Sequence, residues 1–398
     1  MAEGCVESFA GFDGMIGYVP ETDCAVTPDV TPGTEYDDSD GTKRFWSFGL
    51  VENATPNFNP NNSTKRGVGG RTINCINHGR YESMLSISYW PTNMNRIAYM
   101  IGSATERLNY LPSNSIELVW NRVAPNAKER HFLFNGCKTV SWTIECSLDE
   151  SVKFSEEVVG VYMEPSDTVT YADYQSVVVG AMPLKPDCGV LMFYEGAIKI
   201  TRRIQNEDVS SQFTGSESSC DVVNDPMNWA LSEADPTDAQ VTDITVTVDG
   251  TPATVTDITD NTITLSAPPG GATTVLVTYH YIDKFINASA YTIAGNNNTL
   301  GRYHLDNGLS VPGEIRVQGF DVTGSLTLNF TGIEQFTQLY NNEDFHVFIE
   351  LGQLKLVCPT YAKWNSGTPP PLTEADLIDE SLDYTAKDIK MFDVPAGW

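Results

Sequence analysis

Positive charge is what this chain has least of. Its 398 residues carry 24 Lys plus Arg against 52 Asp plus Glu, a formal charge of -28. Affinity for phosphate backbones comes from clustered cations, so tight nucleic-acid binding is excluded while passage close to DNA is not. Long apolar runs are missing too: none approaches the roughly 18 residues of a membrane helix, and Met1 to Phe12 carries acids where a secretion signal wants Lys and Arg. Neither a membrane span nor export is expected. The eight cysteines form no CxxC pair, which leaves reduced thiols as the default, and Cys137 and Cys146 read as small hydrophobes of a buried hairpin. No GxxxxGK[ST], HExxH or GxSxG is present, and the Gly-rich run Gly67 to Gly70 lacks the strand and helix of a phosphate cradle. The histidines His78, His131, His280, His304 and His346 are scattered. Asp37 to Gly41 resembles a calcium loop without its distal Glu and reads as a solvated acidic turn. No catalytic residue, cofactor or metal ligand is expected.

What is present is a plan written twice. Leu85, Ile87 and Tyr89 alternate with Ser86 and Ser88, and Met94, Ile97, Ala98 and Ile101 then follow at i, i+3, i+4 and i+7. The period changes from strand to helix. Some 240 residues later Leu326, Leu328 and Phe330 alternate with Thr327 and Asn329, and Ile333, Phe336, Thr337 and Tyr340 take the same helical offsets. Further alternating strands follow each helix: Val140 to Leu148 in the first half, Phe345 to Leu351 in the second. Each half reads strand, helix, strands.

The fold class expected is mainly β: two tandem barrel or sandwich domains, each with a flanking α-helix, and an inserted small β-sandwich. Residues 1–43, rich in Gly, Pro, Thr and acids, read as an arm. Residues 44–188 form the first domain, 189–212 and 290–398 the second with a C-terminal tail, and 213–289 the insert. In the first domain, Pro56 to Gly70 reads as a long contact loop, Asn135-Gly136 as a hairpin turn and Asp149-Glu150 as an acidic turn. The second domain opens on strands at Val190 to Tyr194 and Ala197 to Ile204. The insert has short strands separated by Asp249-Gly250, Asp260-Asn261 and Pro268 to Gly271, and between Gln212 and Tyr281 it holds no Lys or Arg. In the tail, Pro369 to Pro371 is a stiff spacer, Thr373 to Asp376 a capped short helix, and Ile389 to Val394 a last strand.

Three stretches carry a family resemblance: Gly79 to Ile87; Phe134-Asn135-Gly136-Cys137-Lys138-Thr139-Val140-Ser141-Trp142-Thr143 continuing to Val158-Val159-Gly160; and Pro312 to Ile315 followed by Gly319 to Leu326. Together they resemble the tail tube (major tail) proteins of tailed bacterial and archaeal viruses, of the longer, duplicated type. The insert resembles immunoglobulin-like modules that decorate virion proteins.

The resemblance implies a virion protein, assembled in the host cytoplasm, that forms stacked rings around a bore through which duplex DNA passes without tight binding. Sheets that join edge to edge around a ring leave no open strand edge. Three duplicated chains would give a pseudo-sixfold ring; without duplication, six chains would. The polar strand faces would line the bore: Ser86, Ser88, Ser141, Thr143, Glu145, Ser147, Thr327 and Asn329, a set free of Lys and Arg. Lys199, Thr201 and Arg203 are the exception to such a wall. Ring stacking is heterologous and needs a reaching element, for which the arm, the tail and the loop bearing Asn62, Lys65, Arg66 and Arg71 are candidates. Tape-measure, tail-terminator and baseplate proteins are implied partners, and no membrane is. The acidity, the Thr-rich insert and six Asn-x-Ser/Thr matches leave open an extracellular adhesin or surface-layer protein of β modules, or a carbohydrate-active β-sandwich enzyme.

Overall fold

The computed structural model describes residues 14–21, 45–66, 73, 75–77, 79–92, 96–102, 111–120, 130–166, 174–175, 190–226, 244–271, 273–282, 288–303, 311–329, 333–352, 354–368 and 379–392. The protein is mainly β and divides into two compact units, unit 1 (residues 1–192 and 294–321) and unit 2 (193–293 and 322–397). Arg71, Met94, Phe330, the proline run and the Thr373 to Asp376 helix lie outside the described residues, as do 1–13 and 22–44 of the expected arm.

Unit 1 begins with β1 (Met15–Pro20), β2 (Phe45–Ser47), β3 (Leu50–Asn59), β4 (Ser63–Lys65), β5 (Cys75–Asn77) and β6 (Glu82–Trp90). A short helix α1 (Ile97–Ile101) leads to β7 (Asn114–Trp120), β8 (Arg130–Ser147), β9 (Lys153–Gly160), β10 (Tyr162–Ser166) and β11 (Tyr174–Gln175). One antiparallel sheet runs β3, β6, β9, β8. The N-terminal half of β8 instead pairs with β7 and β10, and β7 with β1. β8 is therefore shared by two sheets. β1 also pairs with β2, and β2 with β11.

The change of partner along β8 falls beside Asn135-Gly136. The hairpin expected there is a bulge: Asn114 faces Cys137 and Ile116 faces Phe134, so Asn135 and Gly136 together oppose Ser115. Gly136 has φ 65°, a conformation that suits a bulge as well as a turn, which is why sequence alone read a reversal there. The turn expected at Asp149-Glu150 is present, with Asp149 at φ 65°. β1 also corrects an expectation, since Tyr18 and Val19, within the stretch read as an arm, are fully buried in the core.

Unit 1 packs through the inward faces of its strands: Leu85, Ile87 and Tyr89 from β6, Phe154 and Val158 from β9, and Trp142, Ile144 and Cys146 from β8. All five residues of α1 are buried as well. The strict alternation of β6 and β9 is the sheet analogue of an amphipathic helix, one face stabilised by apolar burial and the other left polar.

Unit 2 opens on a 3-10 turn at Phe193–Glu195, where a strand through Val190 to Tyr194 was expected, and then β12 (Gly196–Asp208). The inserted module follows: β13 (Ser219–Asp221), β14 (Thr245–Val248), β15 (Thr251–Ala253), β16 (Val255–Thr259), β17 (Thr262–Leu265) and β18 (Val275–Ile282). Sheets β13-β17-β16 and β12-β18-β14-β15 enclose Val209, Phe213, Ile244, Ile263, Val277 and Tyr279 among others. Asp249, Gly250 and Asp260 adopt positive φ at the turns read from sequence.

The chain continues through β19 (Ala288–Asn296), then β20 (Thr299–Arg302) and β21 (Glu314–Val317), a pair that falls in unit 1. β22 (Asp321–Asn329), α2 (Glu334–Asn341), β23 (Phe345–Leu351), β24 (Leu354–Thr368), β25 (Asp379–Ala386) and β26 (Lys390–Phe392) complete unit 2. Its pairings follow the order of unit 1: β19 with β22, β22 with β25, β25 with the C-terminal half of β24, and the N-terminal half of β24 with β23 and β26. β12 pairs with β23 as β1 does with β7. Among the described residues neither unit closes into a barrel on its own.

Two side-chain expectations fail in unit 2. Alternation was read for Phe345 to Leu351, but Phe345 to Ile349 are buried on both faces. The apolar stripe of α2 was assigned to Ile333, Phe336, Thr337 and Tyr340, yet Ile333 is 69% and Tyr340 90% exposed, while Gln335 and Gln338 are buried. The helix seats Phe336 and Leu339 over Gly367, and Gln338 accepts a 3.3 Å hydrogen bond from the Trp364 indole. Polar side chains thus occupy part of its inward face, which an apolar count misreads.

Candidate functional site

The polar positions read from the first half converge on one face of one sheet. The ladder sets Asn53, Ser88, Ser155 and Thr143 side by side, with Thr55, Ser86, Glu157 and Ser141 in the next row. Ser88 and Ser155 hydroxyls lie 3.2 Å apart, and Ser141 donates to Glu157 across 3.4 Å. Ser86 and Glu145 are exposed; Ser88, Ser141, Thr143 and Ser147 are half-buried. Ser155 and Glu157 were missed, although Lys153, Ser155, Glu157 and Val159 alternate with Phe154, Glu156 and Val158 in plain view.

The face is not free of cations. Lys153 stands across from Glu145 and forms a 2.5 Å ion pair with Glu52, and Lys138 stands across from Val159. With Glu52, Glu82, Glu145 and Glu157 against Lys138 and Lys153, the charge there is -4 + 2 = -2. The cation-free description holds for the positions named from sequence, not for the whole surface, because β9 contributes a lysine that the reading left out.

In unit 2 the corresponding ladder sets Ser325 beside Asp383 and Ser366, Thr327 beside Ser381 and Thr368, and Asn329 beside Asp379. Ser366 donates to Asp383 at 2.8 Å. Thr327 and Asn329 are half-buried on this face, while Asp379, Ser381, Asp383 and Thr385 of β25 are exposed. Lys363, next to Thr385, is engaged by Asp344 at 3.2 Å. Lys199, the exception noted in sequence, pairs with Glu350 at 2.9 Å; Thr201 is buried and Arg203 exposed.

Behind the unit 1 face lies an ion pair with no route to solvent. Arg96, just before α1, grips Glu156 of β9 through two nitrogens: Nε lies 2.9 Å from Oε1 and Nη2 2.8 Å from Oε2. Tyr89 and Thr139 donate to the same carboxylate at 2.5 and 3.0 Å, and Asn114 accepts from Arg96 at 3.0 Å. The rings of Tyr18, Phe48 and Tyr99 surround the guanidinium. These contacts tie the residue before α1 to β6, β7, β8 and β9. Among the described residues no group of three or more His, Cys, Asp or Glu is disposed to hold a metal.

Glu380 is the less settled counterpart in unit 2. It is 2% exposed, faces inward between Asp379 and Ser381, and burial, aided by Glu334 of α2, pushes its pKa up to about 6. A carboxyl whose folded pKa lies above the unfolded value supports the fold below pH 4.5 and loses that support as pH rises through about 6. Glu380→Gln should therefore raise the melting temperature by a few degrees at pH 8, a gap that closes toward pH 4.5. Equal melting temperatures of the two proteins across that range by scanning calorimetry would refute it.

Of the positions suggested for stacking, Asn62, Lys65 and Arg66 are exposed. The long loop expected there is largely a β ribbon: β3 runs to Asn59, Gly79 donates to the Pro60 carbonyl at 3.1 Å, and β4 pairs with β5. A Cβ on Gly79 would lie 2.0 Å from the Asn61 carbonyl oxygen, so the ribbon needs glycine where its strands close up. No family model and no curated protein matches this chain. Among the described residues no helix is long and apolar enough to cross a membrane.

Proposed function

We propose that this chain is a tail tube protein of a tailed virus. It carries two tandem copies of one tube-type domain and assembles into rings that stack around a bore for duplex DNA. The observation that carries the reading is the recurrence, in each unit, of one order of strand pairings together with one kind of surface. That surface is a sheet face of hydroxyls, amides and carboxylates, with Lys153 and Lys363 held by acids. A wall of that composition offers a phosphate backbone hydrogen-bonding groups without net attraction, so a moving genome is not retained. Open sheet edges favour assembly as well. Among the described residues β3 has one ladder partner, β6, and a ten-residue strand left unpaired on one side is an invitation to another chain.

Three chains give six domains and a pseudo-sixfold ring; rings of six chains are the alternative. The inserted module sits outside this logic, since its core is its own. Negative-stain electron microscopy of the purified protein should show hollow rings and stacks of rings with a bore wide enough for duplex DNA. Monomers, or flat lattices without a bore, would refute the proposal.

A further inference from the structure

The strands of the unit 1 sheet run between two ends of opposite character. At one end the β3 and β6 pair extends into the β4/β5 ribbon, which presents Lys65 and Arg66, both exposed, with Ile76 directly across the ladder from Thr64 and 63% exposed. At the other end the turn between β8 and β9 presents Leu148, 58% exposed, with Asp149 and Glu150. The ladder fixes their opposition: Leu50 pairs with Trp90, Tyr89 with Phe154 and Phe154 with Ile144, so the β8 to β9 turn lies beyond the start of β3 while the ribbon prolongs its finish. Each end is an exposed aliphatic side chain beside charges, cationic in the ribbon itself and anionic in the turn itself. The signs are opposite.

We propose that these two ends are the two halves of one head-to-tail contact, in which the Lys65/Arg66 ribbon of one copy docks on the Leu148-Asp149-Glu150 turn of another. The inference rests on the tube reading above and deepens it by naming the two surfaces that meet when rings stack. A contact between unlike surfaces repeats without closing, which is what a stack of indefinite length requires. In a chain of formal charge -28, two copies repel at most approaches, and a cationic ribbon supplies one orientation in which they attract. The contact therefore gives stacking a direction. Its electrostatic part is exposed and so is screened by salt, leaving the contact between Ile76 and Leu148.

The test uses the full chain and follows assembly by light scattering and electron microscopy at 50 and 500 mM salt. Lys65→Glu with Arg66→Glu, or Asp149→Lys with Glu150→Lys, should each raise the critical concentration for stacks at least tenfold at 50 mM salt. Combining all four changes should restore it, and the wild-type critical concentration should rise at 500 mM. Circular dichroism matching wild type confirms folding, since all four side chains are exposed. Hollow stacks that form at unchanged critical concentration in both charge-reversed variants would overturn this contact and leave the tube reading standing. A wild-type protein that forms no ring or stack at either salt would overturn both.

Discussion

Replacing Arg96 by methionine is expected to cost unit 1 about 3–5 kcal/mol, the range for removing one partner of a buried ion pair. The loss comes less from the missing attraction than from what stays behind. Glu156, 3% exposed, would keep Tyr89 and Thr139 as donors but no counter-charge, in a site where burial leaves water unable to screen it. Burial alone would lower the Arg96 pKa, but the Glu156 carboxylate outweighs it and the guanidinium is held above its ordinary value. Arg96 therefore stays charged at every pH at which the protein folds. Burial, and then the same carboxylate, raise Tyr89 well above the usual phenol range, so Tyr89 remains a donor in alkali. Arg96→Met with Glu156→Leu should recover most of the loss, because two apolar groups need no partner. Hydrogen exchange separates this from a global effect: amides of β6, β8 and β9 should lose protection in Arg96→Met while those of β23 to β25 keep theirs. A loss below about 1 kcal/mol would mean that the pair is not the clamp of the α1 packing.

That clamp was invisible in the sequence, where Arg96 and Glu156 are two charges 60 residues apart. Alternation announced β6 and β8 because each has one dry and one wet face, and two-fold periodicity encodes that directly. It also placed β23 at Phe345–Leu351 but implied a wet face there, whereas that strand is buried on both sides. β25 was overlooked despite strict alternation, since Leu382, Tyr384 and Ala386 are outnumbered by the acids and hydroxyls around them. Glycine was ambiguous in the same way: the positive φ at Gly136 allows a turn or a bulge, and only the partner strands β7 and β9 decide between them. The polar sheet face was partly legible. Ser86, Ser88, Ser141 and Thr143 could be placed on one side of their own strands, but which strands lie adjacent, and hence that Glu157 and Lys153 belong among them, is a property of the ladder.

Converting Glu145 and Glu157 to lysine together is the change expected to act most strongly on function. The face charge passes from -2, with four glutamates against two lysines, to +2, with Glu52 and Glu82 against four lysines. Glu145 is exposed and Glu157 gives up one 3.4 Å hydrogen bond from Ser141, so folding and assembly should survive. In the proposed tube every ring would repeat the change, and a bore lined this way would turn a wall without net attraction into a counter-ion for the phosphate backbone. Retention by clustered cations weakens steeply with salt, since each neutralised phosphate contributes a slope of roughly -0.9 in log affinity against log salt. Particles carrying the double variant should eject their genome at least tenfold more slowly than wild type at 50 mM salt, and the difference should shrink toward 500 mM. A double variant that forms tubes of normal appearance and ejects at the wild-type rate at both salts would place this sheet face away from the bore. The same pair of salts then separates electrostatic retention from a merely damaged tube, because damage would slow ejection equally in both.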